Sequence, residues 1–387
     1  MASDSSVYVP FDPVVMADPA AGYQRPLEEH PVARVDTFDP PFYILSRHGD
    51  VAAALRDIGV FSSEFGQGPR FTPPAGMLSD PPQHTFFRGL VQQAFTPRRI
   101  AELGPQVTAL AEALIDELPA IGPWDLHDDF AFPLPVIVIA GMLGIPEADI
   151  HRFKTWSDAS VAAMGASDPT PYLGALQALA RYLQDQIAER RAATTPGDDL
   201  IAALVAAREG GRALSDGEIL GVVTQLLVGG NETTTSLITN AVWRLLESPA
   251  AWSRLVAAPE RVDRVIEESL RFDPPVLGLF RNTTRDVTLH GVTIPAGSKV
   301  MLHYGAANRD SRVFERPDVF DPDVDRGRHL AFGLGVHFCL GAQLARLEAR
   351  VALTTLARRR PRLTLLGAGE RIAPFFLWGR KRLPVHT

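Results

Sequence analysis

The stretch Phe332-Gly333-Leu334-Gly335-Val336-His337-Phe338-Cys339-Leu340-Gly341 holds the sole cysteine of the 387-residue sequence, in a glycine-punctuated turn that opens onto a helical pattern running from Leu340 to Leu356. Glycines at 333, 335 and 341 permit the positive φ angles of a tight turn and remove side chains where a flat macrocycle approaches the backbone. A helix start beside the sulfur offers free N–H groups and the positive end of a dipole, which favour thiolate over thiol. A thiolate so placed is suited to bind iron. Burial in the core is the commoner fate of a free cysteine, but the glycine spacing argues for a ligand.

With 46% apolar residues the chain can bury a large core. No internal repeat, low-complexity linker or long charge block marks a boundary, so one domain spanning 1–387 is the expected organisation. Met1 to Pro13 lacks a basic region followed by an apolar stretch, so a cytoplasmic location and a reduced cysteine are expected. The most apolar stretch, Pro133 to Pro146, is shorter than the roughly 20 residues a membrane span needs and reads as a core helix. A net charge of −7 argues against a nucleic-acid surface, and Arg358-Arg359-Arg360 reads as the basic end of a helix.

Helical periodicity dominates, with extended segments at Val32 to Leu45 and Val276 to Tyr304, the latter containing a hairpin pattern from Val287 to Ile294. Ser215 and Glu218 form a capping-box pattern, and the helix it starts continues without proline to Ser248, long enough to cross the molecule. Its middle reads Gly229-Gly230-Asn231-Glu232-Thr233-Thr234-Thr235, where two glycines cost roughly 1 kcal/mol each against alanine. Close helix packing would explain the glycines alone. Glu232 and Thr233 in the same turn add an acid and an alcohol fit to pass protons, and the threonine hydroxyl can bond back to a carbonyl one turn earlier. Glu64 to Pro82, rich in proline, glycine and phenylalanine, reads as a mobile wall over a binding site. Glu268 and Arg271 share a helical face, a spacing whose usual outcome is an exposed pair of little energetic value. His84 and Arg88 also share a face, and Arg281 and His337 would complete a cluster able to hold carboxylates. Each of these four taken alone reads as a surface charge or a core histidine.

In order and spacing these signatures resemble the cytochrome P-450 family of haem-thiolate monooxygenases, its soluble bacterial members in particular. The resemblance runs from His-x-x-x-Arg at 84 and 88, through Gly-Gly-Asn-Glu-Thr at 229–233, Glu-x-x-Arg at 268 and 271 and Asn308-Arg309-Asp310, to the cysteine loop. It implies a mainly α fold with a small β region, the triangular helical prism of that family enclosing haem b. Cys339 would be the axial ligand, a role in which thiolate favours O–O cleavage. Phe332, Gly335 and Gly341 would shape the loop beside the sulfur, and Gly229 and Gly230 the groove on the opposite side. Glu232 and Thr233 would deliver protons. His84, Arg88, Arg281 and His337 would hold the propionates, and Glu268 with Arg271 would form a buried pair bracing the cysteine-side backbone. Pocket walls would come from Phe71, Leu78, Val228, Leu279, Phe375 and Phe376, with no lysine or arginine among them, which favours a small, neutral, largely hydrophobic substrate. Gln225, one turn before Gly229, faces the same side and would bond a substrate oxygen or a water.

No glycine fingerprint for a flavin or nicotinamide follows a strand, and a single cysteine cannot hold an iron–sulfur cluster. Electrons would come from a ferredoxin and its reductase, docking on the cysteine side at Arg98, Arg99, Arg346 and Arg350. The expected reaction is insertion of one oxygen atom from O2, hydroxylation for instance. The alternatives are a peroxide-driven peroxygenase, disfavoured by the acid–alcohol pair, and a haem-binding sensor without turnover. A thiol-nucleophile enzyme would need a base-orienting pattern that the loop lacks.

Overall fold

The computed structural model describes residues 8–72, 76–166, 168–195, 197–209, 211–325 and 327–387. The helices used below are α1 (His48–Arg56), α2 (Gln83–Gln92), α3 (Pro97–Glu117), α4 (Pro133–Leu143), α5 (Ile150–Gly165), α6 (Asp216–Glu247), α7 (Val262–Phe272) and α8 (Ala342–Arg359). The main sheet holds β1 (Val32–Val35), β2 (Phe42–Leu45), β3 (Phe61–Ser62), β4 (Leu279–Thr283) and β7 (Lys299–Leu302). The expected hairpin supplies β5 (Val287–Leu289) and β6 (Val292–Ile294), reversed at His290 and Gly291 with positive φ. Among the described residues no helix is long and apolar enough to cross a membrane.

Helix α6 is the axle of the fold. Ser215 Oγ accepts the Glu218 N–H at 3.3 Å while the Glu218 carboxylate accepts the Ser215 N–H at 2.7 Å, which closes the capping box and fixes the start. The helix then runs 32 residues, about 48 Å at 1.5 Å per residue. Its apolar positions, among them Val223, Leu227, Leu237 and Ile238, are buried against Leu134 and Ile139 of α4 and Ala349 and Leu353 of α8 in one continuous core. Helix α4 is the core helix expected between the prolines and stops at Gly144, where φ is +72°. Helix α8 starts two residues later than the periodicity predicts and ends three later, because Cys339 to Gly341 still belong to the turn.

The strand order is β1-β2-β7-β4-β3, with β2 and β7 parallel and the other pairs antiparallel. Side chains alternate between the two faces. Tyr43, Leu45, Val300 and Leu302 pack toward Val51 and Leu55 of α1, whereas Phe42, Ile44, Phe280 and Met301 join Phe375 and Phe376.

The stretch 64–82 is held more firmly than its composition predicts. Lys299 Nζ donates to the Phe65 and Gly66 carbonyls at 2.9 Å each, and Phe280 N–H donates to Gln67 O at 2.9 Å. Arg70 reaches across to Ala166 O, beyond the end of α5, at 2.8 Å, and Met77 N–H donates to Gln225 Oε1 at 3.0 Å. Residues 73–75 of this stretch and residues 1–7 at the start of the chain lie outside the described residues. The wall is a strap riveted to sheet and helices. Proline and glycine suppress regular structure without suppressing such ties.

Candidate active site

The cysteine loop is built by its backbone. Gly333 N–H donates to Leu330 O at 2.9 Å, Phe338 N–H to Gly335 O at 3.1 Å, and Cys339 N–H to Phe332 O at 2.9 Å. Gly333 and Gly335 adopt φ of +68° and +72°. A Cβ on Gly335 would lie 3.0 Å from Leu55 O, so this glycine answers to turn geometry and to the end of α1, not to a macrocycle. At Gly341 φ is −82° and a Cβ would meet nothing within 4 Å, so only this one of the three glycines borders open space. The Phe332 ring lies 4.6 Å from the Arg346 guanidinium.

One expectation is reversed at the sulfur. Burial pushes the Cys339 thiol up from its ordinary pKa, and this outweighs the pull of the Gly341 and Ala342 N–H groups and of Arg88 and Arg346. The helix start eases ionisation without achieving it. A thiol in this position ionises fully on binding a metal cation, which deprotonates the thiol it coordinates.

Four groups from separate parts of the chain surround this loop. The His84 and His337 rings meet at 4.3 Å between centroids, and Arg281 and Asp80 act on His337 from close by. His84 Nδ1 and His337 Nε2 are buried without a hydrogen-bond partner, and His337 Nε2 lies 3.4 Å from Asp80 Oδ1. Burial, Arg281 and His84 together push His337 down to about 4, against the pull of Asp80. His84 is lowered by burial and by Arg88. Arg281 is buried and spends one N–H on its neighbour's carbonyl, Phe280 O, at 2.9 Å. Neither Arg88 nor Arg281 has a carboxylate within ion-pair distance among the described residues. Two guanidinium groups without a carboxylate partner, beside two histidines, fit the two carboxylates of a haem. Asp80, which takes Ser62 Oγ–H at 2.5 Å and Ser63 N–H at 3.1 Å, is a member of the cluster that motif spacing does not reveal.

The Glu268–Arg271 pair is fully buried and bidentate, at 2.7 and 2.8 Å. Arg271 also donates to the carbonyls of Asn308, Pro317 and Val319, and Glu268 accepts the Asp321 N–H. The chain that leads into the cysteine loop is thereby fastened to α7.

Midway along α6, Thr233 Oγ1 donates to Gly229 O at 2.7 Å, the back-bond expected from its position, and Glu232 is buried beside it. A Cβ at Gly229 would meet nothing within 4 Å, whereas at Gly230 it would touch Ile139 at 3.7 Å. Gly229 therefore faces open space and Gly230 serves packing against α4. The Gln225 amide oxygen accepts Met77 N–H and so seats the turn 76–78, which includes Leu78; a bond from Gln225 to a substrate oxygen would come from the amide nitrogen. Phe375, Phe376 and Val228 share one cluster, while Leu279 packs with the cluster on the other face of the sheet. Phe71 is 48% exposed, with its ring 4.9 Å from Lys299 Nζ, so a buried ammonium stands behind a wall that reads as uncharged. Glu348 on α8 is 1% exposed, and among the described residues neither carboxyl oxygen has a hydrogen-bond partner. Burial pushes it up to about 8, against a small pull from the nearby Thr234 hydroxyl.

The arginines expected to receive an acidic partner are already paired within the chain. Arg346 is bidentate to Glu267, Arg350 bonds Asp263, and Arg98 and Arg99 both reach Glu102. Glu102 pairs from the same helix, whereas Glu267 and Asp263 come from a distant part of the chain.

A mostly helical fold, a lone thiol in a backbone-braced loop, acceptor-seeking donors around it and an acid–alcohol pair on the long helix define a haem-thiolate oxygenase. The sequence model of the family described as Cytochrome P450 matches residues 169–262 and 260–359. The erythromycin C-12 hydroxylase of Saccharopolyspora erythraea is 43% identical over 88% of this chain and 87% of that protein, and the vitamin D(3) 25-hydroxylase of Pseudonocardia autotrophica is 39% identical over 97% and 95%. Among solved structures, cytochrome P450 CREJ in complex with (4-ethylphenyl) dihydrogen phosphate superposes with a TM-score of 0.91 at 30% identity, covering 98% of this chain and 99% of that one. The chain belongs to the cytochrome P450 family. It is a monooxygenase, and its cofactor is haem b.

Proposed function

We propose that Cys339 is the axial ligand of the haem, that His84, Arg88, Arg281 and His337 hold its propionates, and that Glu232 and Thr233 form the proton-delivering pair. Bound through sulfur, haem b supplies activation of dioxygen. The observation that carries this reading is the gathering on the cysteine side of two buried histidines with Arg88 and Arg281, neither arginine having a carboxylate within ion-pair distance among the described residues. Gly229 and Gly341 each border open space, which leaves room for a flat group beside α6 and beside the loop. Thr233 keeps a short bond to Gly229 O, so its oxygen is oriented while its lone pairs stay available to accept a proton-bearing partner. The reaction is insertion of one oxygen atom into a largely hydrophobic organic molecule, in keeping with Phe375, Phe376 and Val228. The erythromycin C-12 and vitamin D(3) 25-hydroxylases among the relatives support this substrate class. Electrons come from a ferredoxin and its reductase. With Arg98, Arg99, Arg346 and Arg350 internally paired, docking rests on exposed Val336 and Phe338 of the cysteine loop. The cytoplasm is the setting that a reduced thiol ligand suits.

The test is spectroscopic. Cys339→Ser should bind haem without the red-shifted carbon monoxide band of sulfur-ligated iron; a band that persisted would move the ligand elsewhere. Thr233→Ala should divert reducing equivalents to hydrogen peroxide, while tight coupling of electron use to product would refute the proton assignment. A peroxide-driven reading would be favoured instead by turnover with peroxide that is indifferent to Thr233.

A further inference from the structure

Four adjacent strands place Phe42, Lys299, Asn282 and Ser62 in one row across the sheet, each directly opposite the next. Lys299 and Asn282 are antiparallel partners, so their Cβ atoms lie about 5 Å apart on the same face. Both are buried, at 1% and 3% exposure. Lys299 is one of three lysines in a chain that uses arginine for almost every other cation. Its ammonium spends two of its three N–H bonds on the Phe65 and Gly66 carbonyls and turns the remainder toward the Phe71 ring. No carboxylate lies within ion-pair distance of it among the described residues. The Asn282 amide is in a worse position, since both its oxygen and its nitrogen are buried without a partner. A buried ammonium lacking a counter-charge beside a buried amide lacking any bond is costly unless something completes both.

The same face continues into a packed apolar cluster. Two residues along each strand, about 7 Å away, stand Met301 and Phe280. These pack with Phe375, Phe376 and Val228, the last being the residue before Gly229. The roof over the polar pair is Phe71, itself 48% exposed.

We propose that Lys299 and Asn282 form an anion-receiving subsite beneath Phe71 that takes the carboxylate of an otherwise apolar substrate. A carboxylate matches the pair in charge and in donor count. Its single negative charge balances one ammonium, and its two oxygens accept one N–H from Lys299 and one from the Asn282 amide. This deepens the monooxygenase reading and rests on it, and it replaces the expectation of a neutral substrate.

The experiment is calorimetric titration of the haem-loaded protein with octanoate, dodecanoate and 4-butylbenzoate, each against its methyl ester. For at least one pair the acid should bind about tenfold tighter than the ester or better, as for one charge-assisted bond in a buried site. Lys299→Met, which keeps the length of the stem, should bring that ratio close to one, any loss from a loosened strap falling equally on acid and ester, and Lys299→Arg should restore part of it. A ratio near one for every pair in the native protein, no binding by any member of the series, or a preference that survives Lys299→Met would each overturn the subsite. If Lys299→Met does not fold, the native ratios and their values in Asn282→Leu decide the question. The carbon monoxide spectrum of the reduced protein is recorded on the same samples. A normal spectrum with flat ratios removes the subsite alone, whereas an absent sulfur-ligated band removes the monooxygenase reading.

Discussion

The backbone leading into the cysteine loop and the strap over the opposite side of the site are both irregular, and both are held by buried cations that donate to carbonyls. Arg271 holds the first with a carboxylate partner in Glu268 and three carbonyl acceptors, so charge and hydrogen bonds are satisfied together. Lys299 holds the second with two carbonyls and an aromatic face and no counter-charge. The difference separates a fixture from a fastening that can be exchanged. The iron ligand needs one position only, whereas a wall that admits substrate must trade its contacts for others.

The contrast breaks most severely at Arg271. Arg271→Leu strands Glu268 and three carbonyls in the core and should cost about 3–5 kcal/mol of unfolding free energy, read by denaturant melts together with loss of bound haem. Glu348 on α8 departs from the completeness of the Arg271 fixture, and that sharpens the comparison. Its carboxyl is held near 8 in the folded protein against an ordinary value near 4.5, so the folded state keeps a proton that the unfolded chain releases. The stability it contributes is therefore present below about pH 4.5 and is lost as pH rises toward 8, at up to about 1.4 kcal/mol per pH unit. Glu348→Gln should flatten that slope in melts taken from pH 5 to 8; an unchanged slope would show that other groups set it. On the strap, Gln225→Leu removes the acceptor for Met77 N–H and should cost about 1 kcal/mol, with faster hydrogen exchange at that amide and little change elsewhere. The smallest effect belongs to the paired surface charges. Arg350→Glu replaces one exposed partner of Asp263 and should alter electron-transfer rates at moderate salt by less than about twofold, measured by stopped-flow reduction with a ferredoxin.

What the sequence reveals and what it hides divide along the same line. The cysteine loop, the capping box at Ser215 and the reversal at His290-Gly291 are legible because their determinants lie within a few residues of each other. The position of Asp80 beside His337, the Lys299–Asn282 pairing and the approach of Thr234 to Glu348 depend on strand register and helix crossing, which no local spacing encodes. The arginine patch illustrates the same limit. Arg346 and Arg350 look available until α7 brings Glu267 and Asp263 against them from about 80 residues away in sequence. Gly335 shows that a motif residue can owe its identity to a neighbour, here Leu55 O, that the motif does not contain.

One unbroken rod, α6, carries Gln225 against the strap, Gly229 beside open space, Thr233 in the proposed proton path and Thr234 against Glu348. Stations along a stiff shaft cannot be retuned independently. A small axial slide or roll that admits a bulkier guest at one station displaces the others in step, so selection for a new substrate on this scaffold would be expected to drag coupling efficiency along with it.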